Sequence, residues 1–169
     1  MKLILMRHAK SAWDDPLMDD FDRPLNARGR RSADLLGQWL AATGHHPDQV
    51  LISGAKRTQE TWDLAAPHLP TPDLREERAL YLASPDVMQR ILTRASGATI
   101  LMIGHNPGIA GLASRLAGIP PLHNRFHDYP TGATTVMTFP APSWSQITPA
   151  TGQVLDFAIP RELETAPQA

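Results

Sequence analysis

The chain has 169 residues, a length that predicts a single domain spanning 1–169. It contains no cysteine, which excludes disulfide bonds and thiolate metal sites. Its 16 Lys and Arg residues against 17 Asp and Glu residues give a formal net charge of -1, so no overall basic field attracts nucleic acid. The first apolar run is too short for a signal-peptide core, and no run approaches membrane-spanning length. We therefore expect a cytoplasmic protein that binds neither nucleic acid nor a membrane.

The first stretch of the sequence changes abruptly from apolar to charged. Residues 3–6 form an unbroken apolar run, as in a strand buried on both faces, and Arg7 and His8 follow directly. The carboxyl end of such a strand is where open parallel sheets bind ligands. Arginine offers a planar fork of donors that matches phosphate oxygens, and histidine is a nitrogen nucleophile that is substantially neutral near pH 7. Taken alone, the pair could also serve a surface ion pair or a capping hydrogen bond.

Strand and helix patterns alternate along the chain. Short apolar runs predict strands at 3–6, 50–52, 99–103, 133–139 and 154–159, with a short extended piece within 74–82. Helical spacing and capping signals predict helices over 27–43, over 84–94 and over 109–116. A further helix is predicted after the second strand, and it ends near Pro67. This alternation is typical of parallel sheets, whereas the last two strands favour an antiparallel pair. We predict an α/β fold: a three-layer α/β/α sandwich with a mostly parallel central sheet, an antiparallel edge and a loosely held tail from about residue 161.

Each of the three strongest strands is followed by a residue suited to phosphate. Arg7 with His8 follows the first, Arg57 follows the second, and His105 follows the third. If the sheet is parallel, these four side chains meet on one rim. The two arginines would grip phosphoryl oxygens and His105 would donate to another, while His8 attacks phosphorus through a neutral ring nitrogen. The other nitrogen of His8 would then hold the proton, bonded to a backbone carbonyl.

No metal and no cofactor are expected at this pocket. Two arginines supply the positive charge that Mg²⁺ supplies elsewhere, and no cluster of carboxylates follows the strands. Gly104, Gly108 and Gly111 do not fit the spacing of a P-loop or a dinucleotide-binding loop. His123 and His127 have a spacing that chelates zinc on a helix, but the surrounding prolines keep any helix there short.

These segments together resemble a known family. Residues 5–11, Leu-Met-Arg-His-Ala-Lys-Ser, resemble the signature of the histidine phosphatase superfamily, the phosphoglycerate-mutase-like enzymes, with Ala9 where most members have glycine. Residues 53–58 with Thr61 are similar to its second arginine motif, and residues 104–106 are similar to its second-histidine motif. The three motifs occur in the family's order, and together they are specific.

The small size of the chain, residues 22–26 with Gly29, the pair at 80–81 and the absence of an inserted helical domain are most similar to phosphohistidine phosphatases of the SixA type. The resemblance covers residues 2 to about 139. It implies a phosphoglycerate-mutase-like fold in which His8 is the phosphorylated nucleophile. It also implies three phosphate ligands besides His8, namely Arg7, Arg57 and His105.

The proton donor to the leaving group and the substrate contacts are less well defined. Larger superfamily members use a glutamate between the second and third motifs, and here that region offers Glu76 and Glu77, between which spacing does not choose. Four residues near the motifs are possible substrate-binding residues: Ser11, Asp14, Arg23 and Asn106. For Ser11 and Asp14 the competing role is a helix or turn cap, and for Arg23 it is an ion pair with a neighbouring aspartate.

The residues and the resemblance favour a metal-independent phosphatase with a histidine nucleophile. Its expected substrate is phosphohistidine in a protein, because the labile P–N bond needs less help from a proton donor than a phosphate ester does. A small phosphoester substrate is the alternative within the same superfamily, and a mutase is disfavoured. In a different class, the chain could be a phosphate- or phosphoprotein-binding module without catalysis. We expect a monomer or a weak dimer.

Overall fold

The computed structural model describes residues 1–165 and is built around one six-stranded sheet. Its strands are β1 (Lys2–Arg7), β2 (Gln49–Ile52), β3 (Asp73–Glu76), β4 (Thr99–Gly104), β5 (Thr134–Thr138) and β6 (Gln153–Ala158). They are arranged in the order β3-β2-β4-β1-β5-β6. The pairs β3–β2, β2–β4 and β4–β1 are parallel, and β1–β5 and β5–β6 are antiparallel. The mostly parallel sheet with an antiparallel edge is therefore confirmed.

Helices cover both faces of the sheet. They are α1 (Ala27–Ala42), α2 (Lys56–Ala65), α3 (Pro85–Leu92), α4 (Gly108–Leu116) and α5 (Pro160–Leu163). One apolar cluster joins α1 and α2 to one face of the sheet, and a second cluster joins α3 and α4 to the other face. The three-layer α/β/α arrangement is confirmed. None of the helices within residues 1–165 has the length and apolar character needed to cross a membrane.

The central strands are buried on both faces. The four apolar residues of β1 have no solvent exposure, and the apolar residues of β4 are likewise fully buried. Burial of each such side chain stabilises the fold by about 1.5–3 kcal/mol before conformational entropy is subtracted. Because β1, β2 and β4 are neighbours, their carboxyl ends open together at one edge of the sheet.

Helix α1 begins beside the first strand-to-helix turn. The side chain of Asn26 caps the helix by accepting a hydrogen bond from the backbone N–H of Gly29 at 2.8 Å. The backbone N–H of Asn26 donates to the carbonyl oxygen of Lys10 at 3.0 Å. A Cβ atom at Gly29 would overlap that same carbonyl oxygen, so glycine is what lets the helix approach the turn.

Two segments are more ordered than the sequence indicated. The extended piece expected within 74–82 is a strand at Asp73–Glu76 that pairs in parallel with β2, followed by a 3-10 turn at Arg78–Leu80. The tail expected to be loose from about residue 161 begins inside α5, where Leu163 packs against the core cluster beneath α1. The remainder of the expected tail, residues 166–169, lies outside the described residues.

We expect the substitution Gly29→Ala to lower the free energy of unfolding by about 1–3 kcal/mol, because the new methyl group forces α1 away from Lys10. At an unobstructed helical position the same change would instead stabilise the protein by about 0.5–1 kcal/mol. Urea denaturation measures the sign of the effect. Arg30→Ala, at an exposed position one residue further along α1, is the control and should stay within about 0.5 kcal/mol of the wild type. Stabilisation by Gly29→Ala would contradict the packing.

Candidate active site

The carboxyl ends of β1, β2 and β4 bring together residues that are far apart in the sequence. Arg7 lies opposite Gly104 in the register of β1 and β4, so His8 and His105 follow neighbouring strands. Arg57 lies in the first turn of α2, directly after β2. These side chains open into one cavity of about 330 Å³, lined by Arg7, His8, Lys10, Ser11, Trp13, Asp20, Arg23, Arg57, Leu82, His105, Asn106 and Thr131. The four residues predicted to converge do converge.

The imidazole of His8 is held in one orientation. Its Nδ1 atom lies 2.7 Å from the carbonyl oxygen of Ala9, and since a carbonyl can only accept, Nδ1 carries the proton. The Nε2 atom is therefore unprotonated, and it accepts a hydrogen bond from Nε of Arg57 at 3.3 Å. The ring is buried, and its centroid lies 5.1 Å from that of His105. A buried, oriented nitrogen lone pair beside two arginines is suited to nucleophilic attack on phosphorus.

Two residues that line the cavity, Arg7 and His105, each have a buried nitrogen atom without a partner among the described residues. Arg7 donates from Nη1 to the carbonyl oxygen of Tyr129 at 3.0 Å, while its buried Nε atom has no partner in residues 1–165. His105 has Nε2 at 2.8 Å from the hydroxyl of Ser53, and its Nδ1 is likewise buried and unpaired within the described chain. The hydroxyl of Ser53 also accepts from the backbone N–H of Ala55, and because a hydroxyl both donates and accepts, its contact with His105 fits either tautomer of the imidazole. The hydrogen-bonding capacity of both atoms is therefore unused by residues 1–165.

Tyr129 also anchors β1, the strand that ends at Arg7. Its hydroxyl donates to the carbonyl oxygen of Leu5 at 2.8 Å and lies 2.7 Å from the hydroxyl of Thr135. The ring is fully buried, and burial raises the pKa of its phenol. Tyr129 therefore connects Arg7 to the sheet: its carbonyl oxygen accepts from Arg7, and its side chain is bonded to the strands.

The electrostatics of the cavity keep both imidazoles neutral near pH 7. Burial lowers the pKa of His8 to about 3, and the neighbouring charges of Arg57 and Arg7 act in the same direction. Burial and the same arginines lower the pKa of His105 to about 4, against an opposing effect of Asp20. Burial also lowers the pKa of Arg7, with a further contribution from Arg57. The cavity therefore carries concentrated positive charge, which an anion entering it would stabilise.

Asp20 is the main residue that the sequence did not reveal. It lies in a 3-10 turn at Asp20–Asp22, and its Oδ2 accepts from Nη2 of Arg57 at 2.9 Å and from the hydroxyl of Tyr81 at 2.6 Å. Oδ1 accepts from Arg23 at 3.1 Å. Burial raises the pKa of Asp20, but the hydrogen bonds from Tyr81 and Arg57 outweigh this effect and hold it below the usual value. Asp20 is thus an ionised carboxylate in the cavity.

The predicted substrate-binding residues divide into two groups. Ser11, Arg23 and Asn106 line the cavity. Arg23 forms the ion pair with Asp20 that was considered for it and donates to Ser11 at 3.0 Å, while its role in substrate binding stays a prediction. Asp14, by contrast, is exposed and is not among the described residues that line the cavity.

The two glutamates considered as proton donors also lie elsewhere. Glu76 ends the edge strand β3 and accepts from Gln59 at 2.9 Å, and Glu77 lines a separate depression beside Arg75 and Arg94. Neither borders the cavity that contains His8. The expectation that one of them serves as the acid is therefore not supported, because β3 is an edge strand and two other strands, β2 and β4, separate it from β1.

Lys10, Trp13, Leu82 and Thr131 line the cavity without having been singled out from the sequence. They come from loops, where periodicity gives no information. The closeness of Lys10 and Trp13 to the Arg-His pair was the available signal for those two residues. The guanidinium of Arg23 lies over the ring of Trp13, 3.1 Å from its centroid, and this contact connects the loop to the cavity wall.

A rim of two arginines and two histidines around one cavity, on a six-stranded α/β sheet, is suited to phosphoryl transfer through histidine. The family model described as the histidine phosphatase superfamily (branch 1) matches residues 3–81. An uncharacterised protein of Mycobacterium tuberculosis is 36% identical over 163 residues, which cover 92% of this chain and 100% of that protein. The chain belongs to the histidine phosphatase superfamily.

Solved structures identify the branch that the fold resembles. A candidate phosphohistidine phosphatase SixA from Nakamurella multipartitia superimposes with a TM-score of 0.80 at 25% identity, covering 94% of this chain and 95% of that one. The protein histidine phosphatase SixA complexed with tungstate gives a TM-score of 0.77 at 24% identity, covering 96% and 99%. The fold is therefore that of the small SixA-type phosphatases, as the sequence motifs implied.

We expect the stability of the protein without bound anion to fall as the pH drops below 6.5. Unfolded imidazoles take up protons from about pH 6.5 downward, whereas the folded pKa values of His8 and His105 are about 3 and 4, so protonation favours the unfolded chain between these limits. In His8→Ala one such site is lost. The slope of unfolding free energy against pH, measured by urea denaturation over pH 4–6 in phosphate-free buffer, should become shallower by up to about 1.4 kcal/mol per pH unit. An unchanged slope would contradict the buried, neutral His8.

We expect Asp20→Asn to tighten binding of inorganic phosphate by about three- to tenfold, because the substitution removes a negative charge that contacts Arg57. Asp20 is partly exposed, so added salt should reduce the effect. Isothermal titration calorimetry measures the affinity. Asp19→Asn removes the same charge from the adjacent exposed residue and should change it by less than about twofold. Weaker phosphate binding by Asp20→Asn would instead mean that Asp20 holds Arg57 in place for the anion.

Proposed function

We propose that the protein is a metal-independent phosphatase that hydrolyses phosphohistidine in a protein substrate through a phosphorylated His8. The observation that carries the proposal is the hydrogen bond of His8 Nδ1 to the carbonyl oxygen of Ala9, with Nε2 turned toward Arg57. It fixes the tautomer that a nitrogen nucleophile needs before substrate arrives. Arg7, Arg57 and His105 are the proposed phosphate ligands, and the two arginines supply the charge that a metal ion would otherwise provide.

In the first step, Nε2 of His8 attacks phosphorus in line with the bond to the leaving group. A bond forms between Nε2 and phosphorus, and the P–N bond of the substrate breaks with its electron pair returning to the substrate nitrogen. The equatorial oxygens carry the developing charge, which the guanidinium groups of Arg7 and Arg57 and the imidazole of His105 at the same cavity would stabilise. Because His8 is neutral at pH 7, no proton has to be removed before attack.

In the second step, water attacks the phosphorus of phosphorylated His8. The P–Nε2 bond breaks, its electron pair returns to Nε2, and dihydrogen phosphate leaves and is deprotonated by solvent. The ring departs as the same Nδ1-protonated tautomer, since the bond to Ala9 retains that proton throughout. The enzyme residue thereby leaves as a neutral imidazole without help from an acid.

The groups that line the cavity favour phosphohistidine as the substrate. Among the described residues that line the cavity, Asp20 is the one carboxylate, and its lowered pKa makes it a poor proton donor. A leaving alkoxide from a phosphate ester requires a proton, whereas a phosphohistidine that is protonated on its second ring nitrogen leaves as neutral imidazole. The exposed Trp13 and Leu82 at the cavity, 72% and 55% accessible, also favour a protein surface over a small metabolite.

Two further sequence-based expectations remain predictions, namely a cytoplasmic location and a monomeric or weakly dimeric state. The small phosphoester substrate remains the competing reading of the same site, and the non-catalytic binding module is its competitor from a different class. One set of kinetic measurements separates the three.

We expect the wild type to hydrolyse a phosphohistidine peptide at least tenfold more efficiently, by kcat/KM, than the phosphoserine peptide of the same sequence. The reason is that the carboxylate of Asp20, the one carboxyl group among the described residues of the cavity, is a poor proton donor to the leaving group. His8→Ala should lower kcat by more than about a thousandfold through loss of the nucleophile. Mass spectrometry at low temperature should detect phosphate on His8 in the wild type. The control is His127→Ala, which removes an exposed histidine outside the cavity.

Each contrary result has a distinct meaning. Faster turnover of phosphoserine would assign a phosphoester substrate to the same mechanism. Undiminished activity in His8→Ala would refute His8 as the nucleophile. Phosphate binding with no turnover of either peptide or of an aryl phosphate would indicate the binding module.

A further inference from the structure

A second cavity adjoins the active site and is lined mainly by cations. It measures about 320 Å³, and it shares Lys10 and Thr131 with the cavity that contains His8. Three arginines complete its charged lining: Arg28, Arg125 and Arg161. These residues come from the first turn of α1, the loop before β5 and the start of α5, so only the folded chain brings them together.

The charge of this cavity contrasts with the chain as a whole. The formal net charge is -1, yet four cationic side chains and no carboxylate are found among the described residues lining the cavity. Arg125 is partly neutralised by Asp128, whose carboxylate lies 2.6 Å from its Nε. Lys10, Arg28 and Arg161 form no ion pair with any residue between 1 and 165 in the structure. A concave, cationic surface of this kind concentrates anionic ligands.

The polar lining is not limited to flexible surface side chains. Ser32, on the second turn of α1, is only 5% exposed and still lines the cavity, so it places a hydroxyl group at a fixed position in the wall. Pro130 and Pro160 contribute rigid apolar wall beside it. The lining thus combines mobile cations with a buried hydrogen-bonding group.

The depression continues beyond this cavity. A third depression shares Arg125, Ile159 and Arg161 with it and extends to Thr165, and it also includes Glu162, whose carboxylate lies 2.9 Å from Nε2 of His123. Three adjoining depressions therefore lead from His8 along the surface to α5. A track of this extent fits an extended polypeptide segment better than a single second phosphate group on a small molecule.

We propose that this basic track, defined by Lys10, Arg28, Arg125 and Arg161, binds acidic side chains of the protein substrate close in sequence to the phosphorylated residue. The inference rests on the proposed function, since it assumes that a phosphorylated polypeptide enters the cavity of His8. We therefore expect the preferred substrates to carry Asp or Glu near the phosphorylated histidine. Arginine forks match carboxylates, and such contacts improve both encounter and register.

The test compares two phosphohistidine peptides that differ only in flanking residues, one with aspartates and one with serines. The readout is the ratio of kcat/KM for the acidic peptide to that for the neutral peptide, because a ratio cancels any general loss of activity. In Arg28→Ala/Arg161→Ala this ratio should fall about five- to twentyfold at low salt, mainly through KM, and by less at high salt. Arg31→Ala/Arg90→Ala removes two exposed arginines from α1 and α3, with the same change of net charge, and should keep the wild-type ratio.

A second measurement does not depend on phosphohistidine turnover. An unphosphorylated aspartate-rich peptide should inhibit hydrolysis of an aryl phosphate by the wild type more strongly than a serine-rich peptide does. The Arg28→Ala/Arg161→Ala variant should lose that difference. If the wild type hydrolyses aryl phosphate but neither phosphohistidine peptide, the proposed substrate fails while this measurement still decides the role of the track.

Three results would overturn the inference. One is an unchanged peptide ratio in Arg28→Ala/Arg161→Ala, and another is an equal fall in the Arg31→Ala/Arg90→Ala control. The third arises with ethane-1,2-diyl bisphosphate and ethyl phosphate as paired inhibitors of aryl phosphate hydrolysis. If only the bisphosphate preference falls in Arg28→Ala/Arg161→Ala while the peptide ratio stays constant, the track binds a second phosphate of a small molecule.

Discussion

The hydrogen bond from Nδ1 of His8 to the carbonyl oxygen of Ala9 is the contact on which the geometry of the site depends. It determines which ring nitrogen has a free electron pair and in which direction that pair points. The backbone N–H of Ala9 donates to the hydroxyl of Thr61 in α2, the helix that also carries Arg57. His8 and Arg57 are consequently held by the same short piece of structure, which fixes their relative position.

Charge in the cavity is balanced in two different ways. In the structure, the carboxylate of Asp20 binds Arg57 and Arg23, while both imidazoles stay neutral because burial disfavours their protonation. An oxyanion entering the cavity would face Arg7, Arg57 and His105 together, and its charge would favour protonation of the imidazole of His105. The free-energy cost of removing water from these groups is met during folding. It therefore does not have to be met again when a phosphoryl group binds.

The part of the site that could be predicted from the sequence is the part fixed by the sheet. Arg7, His8 and His105 directly follow short apolar runs, and parallel strands place their carboxyl ends together, so their meeting follows from topology. Asp20 could not be found this way, because its position depends on the path of a loop without periodicity. The distance of Glu76 from the cavity could not be predicted for a related reason, because the sequence does not show that β3 is an edge strand. The basic track combines four separate segments, and the net charge of the chain conceals it.

Tyr129 has a consequence for how this scaffold could diversify. The loop between α4 and β5 forms part of the cavity wall, yet the carbonyl oxygen of Tyr129 accepts from both Arg7 and Asn106 while its hydroxyl is bonded within the sheet. Grafting a longer or differently shaped loop into this connection would alter access to the cavity without disturbing Arg7 and His8, provided that this one tyrosine keeps its place. Tyr129 is thus a fixed position in this loop, and changes in the residues around it could alter specificity during evolution or in design.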